Sequence, residues 1–240
     1  MKLISKFKTQ VIKALKIGLL ALSLSIISIE SPNLHRKYIR SIAEESVVKI
    51  VSQTGRGTGF HVQLPNGKVV LLTNKHVCEM NEVLFVEAEG SLYPIERKVI
   101  KKSDEHDLCV MEALPGHDGI KLGSEPSLGD TLYTLGHPRA EELNVASGEY
   151  FGDTIIQMAE EIGEDGRCAG EKIQDIFGEF CAVYKNTLHL STPTYPGNSG
   201  SAVVNKYGHL VGVIFAGNRN VENNGYAVPL FYIEEFLSSL

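Results

Sequence analysis

The chain has no Cys-x-x-Cys pair, and none of its four cysteines (Cys78, Cys109, Cys168, Cys181) stands beside a histidine cluster. The spacings by which structural zinc and dithiol redox sites are read from sequence are therefore missing. No internal repeat is present, which excludes a solenoid. Beyond the N-terminus there is no long uncharged helical pattern, and 23 glycines and nine prolines punctuate short apolar runs, so an all-β fold is favoured over a helical one. Basic residues are scarce where a polyanion would need them. Of 23 Lys/Arg and 29 Asp/Glu, eight and one fall within residues 1–40, so 15 basic and 28 acidic residues remain for the body. An acidic body argues against nucleic-acid binding, which wants a basic face.

The rest of the composition suits a globular protein. With 240 residues and 43% hydrophobic content, the chain can bury one large or two small cores. Cys78 and Cys109 lie in apolar runs and are expected as buried thiols. Cys168 and Cys181 flank a polar segment, and whether they pair depends on an oxidising compartment.

Residues 1–30 read as a signal peptide or signal anchor. Lys2, Lys6, Lys8, Lys13 and Lys16 precede an uncharged run from Ile17 to Ile29, the layout of a charged n-region and an h-region. The run is short for a spanning helix, but snorkelling of Lys13 and Lys16 lengthens it. No Ala-x-Ala marks a cleavage site. In either case the body is expected outside the cytoplasm, with a membrane contact through this segment if it is uncleaved. Residues 31–45 read as a linker.

From Ser46 onward the pattern is of short strands. Val47–Val51 is strand-like, and Gly57–Val62 and Lys68–Thr73 flank Pro65-Asn66-Gly67, a hairpin signal. Further strands are expected near 83–86, 107–111, 131–135, 181–190, 201–204, 210–215 and 225–228, a spacing typical of sandwiches or barrels. Ile155–Gly178, rich in Glu, Asp and Gly, reads as an inserted surface loop with room for a short helix. Pro229–Leu240 places Leu230, Ile233, Phe236, Leu237 and Leu240 on one helical face.

The chemistry centres on Thr194-Tyr195-Pro196-Gly197-Asn198-Ser199-Gly200-Ser201. A serine between glycines can sit where successive backbone N–H groups converge on an oxyanion, although Gly and Ser are also ordinary turn residues. Its hydroxyl is a poor nucleophile until an imidazole accepts its proton. Of eight histidines, His76 follows the strongly apolar strand ending at Thr73-Asn74-Lys75, where a rigid sheet edge presents it; the others fall in the linker, on strands or in turns. Asp107 opens the apolar run Leu108-Cys109-Val110-Met111 and is the best-placed carboxylate to hold that imidazole, with Asp104 and Glu105 as rivals.

Gly57-Thr58-Gly59-Phe60, Thr73-Asn74-Lys75-His76-Val77, His106-Asp107-Leu108-Cys109-Val110 and Gly197-Asn198-Ser199-Gly200-Ser201 occur in that order, at intervals of 31 and 92 residues between the His, Asp and Ser. The set resembles the trypsin-like (chymotrypsin-fold) serine endopeptidases, particularly the bacterial and organellar branch of high-temperature-requirement proteases and glutamyl endopeptidases. Leu135-Gly136-His137-Pro138 and Gly225-Tyr226-Ala227-Val228-Pro229 are also similar to that branch. The resemblance runs from Ser46 to Leu240 and implies two six-stranded antiparallel β-barrels, divided near 122–130, with a C-terminal helix. It implies His76 as general base and acid, Asp107 as its orienter and Ser199 as the acyl-forming nucleophile. The N–H groups of Gly197 and Ser199 would make the oxyanion hole, with no metal or organic cofactor.

By the same resemblance the pocket for the residue before the scissile bond is lined by Thr194, Ile214, Phe215 and Ala216. There is no Asp six residues before Ser199 and no histidine at 214, so neither a basic nor a glutamate preference is implied. A small or apolar uncharged side chain is expected instead. High-temperature-requirement proteases usually continue into a PDZ domain, so PDZ-gated regulation is not expected of a sequence ending at Leu240. The partners expected are protein or peptide substrates. Two competing readings are a catalytically silent relative that only binds peptide, and an esterase-like hydrolase. The second lacks the Gly-x-Ser-x-Gly elbow and has the wrong order of catalytic residues.

Overall fold

Short apolar runs separated by tight turns bury their inward faces either by packing two sheets face to face or by closing sheets on themselves, and this chain does the second. The structure, a computed structural model, describes residues 32–88, 95–160, 162, 168, 170–175, 178–217, 221 and 223–240. The expected signal or anchor segment lies outside the described residues. Compact packing divides the chain between Ser41 and Ile42. Where a linker is expected, an α-helix spans Pro32–Ser46. Ile39 and Ala43, one turn apart, are both fully buried, and this is the apolar spacing that the reading of a linker overlooked.

The first barrel is built from β1 (Val47–Val51), β2 (Arg56–Gln63), β3 (Val69–Thr73), β4 (Leu84–Ala88), β5 (Ile95–Arg97), β6 (Val99–Lys102) and β7 (Cys109–Met111), with β8 (Ile120–Lys121) added in parallel to β2. β1 pairs with β2 and β4, β2 with β3, and β3 with β7. β5 lies on β4 and β6 on β7. Because β5 and β6 are one strand interrupted at Lys98, the ring closes with six strands. The β2–β3 turn forms as its residues dictate: Gly67 takes φ +84 and the Asn66 side chain accepts the Lys68 N–H.

The second barrel comprises β9 (Thr131–Gly136), β10 (Asn144–Glu160), β12 (Gly178–Leu190), β13 (Ala202–Val204), β14 (Leu210–Gly217) and β15 (Gly225–Pro229). The order β10-β9-β13-β14-β15-β12 closes through a further β10–β12 pairing, again as six strands. Its core gathers Leu132, Leu188, Leu190, Val203, Val211 and Ile214. A helix over Leu230–Ser238 buries Leu230, Ile233, Phe236 and Leu237, whereas Leu240 lies past its end, 40% exposed.

Two expectations are corrected. Where it is described, Ile155–Gly178 is mostly strand rather than loop or helix: β10 and β12 run on past the barrel, paired from Asp153 with Leu188 to Glu160 with Cys181. β11 (Glu171–Asp175) pairs with β12 as a third strand, and a Cys168–Cys181 disulfide ties the arm. From Phe151 to Glu160, β10 alternates exposed and half-buried residues without burying either face fully. A ladder of backbone hydrogen bonds can hold such polar residues in strands, and composition alone did not reveal it. Cys78 and Cys109 are not thiols but a disulfide. Pairing of Thr73 with Cys109 across β3 and β7, followed by the short helix Lys75–Cys78, brings the two Cα atoms to 6.5 Å. An apolar setting suits a half-cystine as well as a thiol. Among the described residues, no helix is long and apolar enough to cross a membrane.

Candidate active site

β3 delivers its last side chains at the barrel rim, where the chain turns into the one-turn helix Lys75–Cys78 and lifts His76 off the sheet. Asp107 sits immediately before β7, the neighbour of β3. Its carboxylate is gripped twice: Oδ1 accepts the His76 backbone N–H at 3.0 Å and Oδ2 lies 2.7 Å from His76 Nδ1. The buried Asn74 side chain donates to the Asp107 backbone carbonyl at 2.9 Å. Two residues beyond each partner, the Cys78–Cys109 disulfide repeats the same link in covalent form. A carboxylate can only accept, so Nδ1 carries a proton, and in the neutral ring the lone pair is left on Nε2. Asp104 and Glu105 make no such contact with His76 among the described residues.

The serine loop comes from the second barrel and packs onto β2 and β3 of the first. Thr58 N–H donates to the Ser199 carbonyl at 2.8 Å. Gly200 has φ +85, and a Cβ there would lie 2.0 Å from the Thr58 carbonyl oxygen and 2.3 Å from Thr73 Oγ1, so only glycine fits. Gly197, with φ +96, backs onto the turn 137–140 in the same way. The loop's N–H groups divide into two sets. Those of Asn198, Gly200 and Ser201 donate to the carbonyls of Tyr195, Ile214 and Asn198. Those of Gly197 and Ser199 donate to no group among the described residues. Among the described residues no hydrogen bond joins Ser199 to His76.

The expected specificity residues separate. Ile214 is fully buried in the second-barrel core and Phe215 is nearly so, while Thr194 and Ala216 are half-buried beside the serine loop. Thr194 stands between two glycine walls. A Cβ on Gly217 would lie 2.6 Å from Thr194 Cβ, and one on Gly225 2.7 Å from Thr194 Oγ1. Thr194 thus packs closely against the backbone at both glycines. A separate cavity with about 250 Å³ of empty space, part of it open to solvent, lies behind the loop between Thr134, Asn144, Pro193 and Asn198. It touches neither His76 nor Ser199, so it is not where a bond would be cut. Sequence reasoning did not single out Thr58, whose hydroxyl lies between Gly197 and His137; its only signal was its place in Gly57-Thr58-Gly59.

Two closed six-stranded barrels, with a His–Asp pair on one and a glycine-flanked serine on the other, define a protein of the chymotrypsin fold class. The chain belongs to the trypsin-like peptidase domain family, whose profile matches residues 57–213. It is 26% identical over 190 residues to the serine protease Do-like HtrA of Bacillus subtilis, covering 74% of this chain and 37% of that protein. It is 25% identical over 195 residues to a serine protease HtrA-like of Staphylococcus aureus strain USA300, covering 79% and 24% respectively. The chain thus spans well under half the length of these relatives. Among solved structures it is similar to the active form of the Rv3671c protease from M. tuberculosis, with TM-score 0.66, 21% identity and coverage of 87% and 86%. It also resembles the serine endoprotease from Yersinia pestis, with TM-score 0.64, 21% identity and coverage of 88% and 67%. At these identities the likeness is one of fold.

Proposed function

We propose that the chain is a serine endopeptidase acting on protein or peptide substrates through Ser199, His76 and Asp107. The observation that carries this reading is the two-point grip of Asp107 on His76, which fixes the tautomer a general base needs. Ser199 Oγ attacks the scissile carbonyl carbon while His76 Nε2 takes its proton. The carbonyl π bond opens onto oxygen, and that oxyanion is received by the N–H groups of Gly197 and Ser199, which have no protein acceptor among the described residues. Collapse of the tetrahedral intermediate breaks the C–N bond, His76 protonates the departing amine, and an acyl-Ser199 ester remains. Water, deprotonated by His76, then releases the acid and restores the serine. Asp107 stays ionised and offsets the imidazolium that forms twice per cycle.

The close packing of Thr194 against Gly217 and Gly225 leaves little room between them and favours a small uncharged residue before the scissile bond. The two disulfides favour an oxidising compartment and hence a protease domain held outside the cytoplasm, with residues 1–30 as export signal or anchor. The test is labelling by a fluorophosphonate, which requires an activated serine. Wild type should label and Ser199→Ala should not, and a cleavage profile over a peptide library should show small residues before the cut. A folded wild type that stays unlabelled overturns the reading; a profile dominated by basic or acidic residues overturns the pocket assignment alone.

A further inference from the structure

We propose that Thr58 is a positioning residue for the oxyanion loop, its hydroxyl setting the backbone at Gly197 and thereby the aim of the two N–H groups beside the nucleophile. This rests on the assignment of Ser199 above. A peptide unit is rigid and planar, with C=O and N–H pointing to opposite sides, so anchoring its carbonyl aims its N–H. Three successive units make up the loop. In the unit joining Pro196 to Gly197, the carbonyl accepts the Arg139 N–H at 2.6 Å, which turns the Gly197 N–H away from the 138–140 turn. In the unit joining Asn198 to Ser199, the carbonyl accepts the Ser201 N–H at 2.9 Å and the Ser199 N–H is left without a protein acceptor among the described residues. The middle unit, joining Gly197 to Asn198, is the one whose carbonyl is held by a side chain: Thr58 Oγ1, at 2.8 Å.

The same hydroxyl has a second task. It accepts the His137 N–H at 3.0 Å, so its own hydrogen is committed to the Gly197 carbonyl. His137 leads into the 138–140 turn that holds the Pro196 carbonyl through Arg139. One oxygen therefore fixes both the loop and the turn behind it. Thr58 is fully buried, and its own backbone is tied down by Thr73 Oγ1 on its carbonyl at 2.6 Å and by the Ser199 carbonyl on its N–H. The peptide joining Gly197 to Asn198 has one other hydrogen bond, from the Asn198 N–H to the Tyr195 carbonyl at 3.0 Å. With glycine's freedom at 197, loss of the Thr58 anchor leaves it pinned on one side only, where it can tilt. Replacement by valine keeps the volume but takes the hydroxyl away from both the Gly197 carbonyl and the His137 N–H in a site closed to most solvent.

The probe is a fluorophosphonate at saturating and sub-saturating concentrations, which separates the phosphonylation rate from the affinity of the encounter complex. The phosphonyl oxygen depends on the oxyanion N–H groups, whereas the encounter complex does not. In Thr58→Val the phosphonylation rate should fall roughly 10–100-fold with affinity changed less than about threefold, somewhat below the loss for an oxyanion donor itself. Thr58→Ser, which keeps the hydroxyl, should restore the rate to within about fivefold of wild type, and the shape of the pH–rate curve should match wild type in all three proteins. A folded Thr58→Val, or Thr58→Ala should the valine fail to fold, that phosphonylates within about threefold of wild type overturns the proposal. So does a folded serine variant as slow as one lacking the hydroxyl. A wild type that never labels strikes the Ser199 assignment; a labelled wild type with a fast valine variant strikes only this inference.

Discussion

At the scale of single residues, His61 shows how an imidazole buried in a barrel differs from His76, half-exposed at its rim. It is fully buried in β2, its Nδ1 lies 2.9 Å from the Ser46 carbonyl, and its Nε2 accepts the Leu114 N–H at 3.0 Å. Both contacts suit a neutral ring, and protonating Nε2 would set two N–H groups against each other. Burial is the largest cause that lowers its pKa to about 4. The hydrogen bond to Ser46 works the other way, and His117, stacked on it at 4.7 Å, and Arg97 lower it further. Between about pH 4 and 6.5 the unfolded chain therefore binds a proton that the folded chain refuses. This contribution to stability is complete above pH 6.5 and is lost as the pH falls toward 4, amounting to about 3 kcal/mol from this group. Urea unfolding between pH 4 and 7 checks it: wild type should lose stability across that window, and His61→Gln, without an ionisable ring, should show a flatter slope. Equal slopes in the two proteins would assign the acid sensitivity elsewhere.

At the scale of elements, the segments that carry His76, Asp107 and Ser199 were readable because each adjoins an apolar run: His76 follows β3, Asp107 precedes β7 and Ser199 precedes β13 (Ala202–Val204). β1, β3, β9 and β14 were readable for the same reason, each burying several consecutive side chains, whereas β5, β6, β8 and the barrel part of β10, which are short or alternate with exposed residues, were not expected from the sequence. The arm was not readable. Ile156, Met158 and Val183 share its one side with Lys185 and Glu160, and the Lys185–Glu160 ion pair at 2.7 Å leaves that side too mixed to mark a period of two. Thr58 was unreadable for another reason, since its role lies wholly in contacts to residues 79 and 139 positions away. The disulfides depend on how strands meet, and sequence carries no such distances. The Cys78–Cys109 bridge, closing a 31-residue interval, lies between the two segments that hold the His–Asp pair. Cys78→Ala with Cys109→Ala should destabilise the domain by about 2–4 kcal/mol in denaturant unfolding and slow fluorophosphonate labelling. Replacing Cys168 and Cys181 should leave labelling near wild type and raise amide exchange in the arm only, because that bridge ties strands outside both barrel rings. An unchanged labelling rate in the first double variant would show that Asn74 and the Asp107 carboxylate suffice to hold the pair.

At the scale of the whole molecule, the site needs two barrels at a fixed separation, and the terminal helix spans them. In sequence it follows β15 of the second barrel, yet it reaches the first at two points. Lys101 of β6 places its Nζ 2.7 Å from Ser239 Oγ and 3.2 Å from the Ser239 carbonyl, a cation at the carbonyl end of a helix. His106 stacks on Tyr232 with ring centroids 4.0 Å apart, and Tyr232 OH accepts the Asn186 side-chain amide at 3.2 Å. His106 is the residue before Asp107, so this stack ties the acid-bearing turn of one barrel to the helix and β12 of the other. Burial lowers the His106 pKa, and the ring is therefore neutral at mildly alkaline pH, where stacking does not compete with hydration of an imidazolium. A double-mutant cycle at pH 8 between His106→Ala and Tyr232→Ala should return a coupling of about 0.5–1.5 kcal/mol in unfolding free energy. Tyr232→Ala should also slow labelling of Ser199, since it frees the turn that carries Asp107. Tyr232→Phe keeps the ring and gives up only the Asn186 contact, so it should label close to wild type. If the alanine variant is destabilised yet labels at the wild-type rate, the helix contributes to folding without setting the distance between the barrels. If labelling slows in Tyr232→Ala and not in Tyr232→Phe, the terminal helix is part of what brings the His–Asp pair and the serine into register.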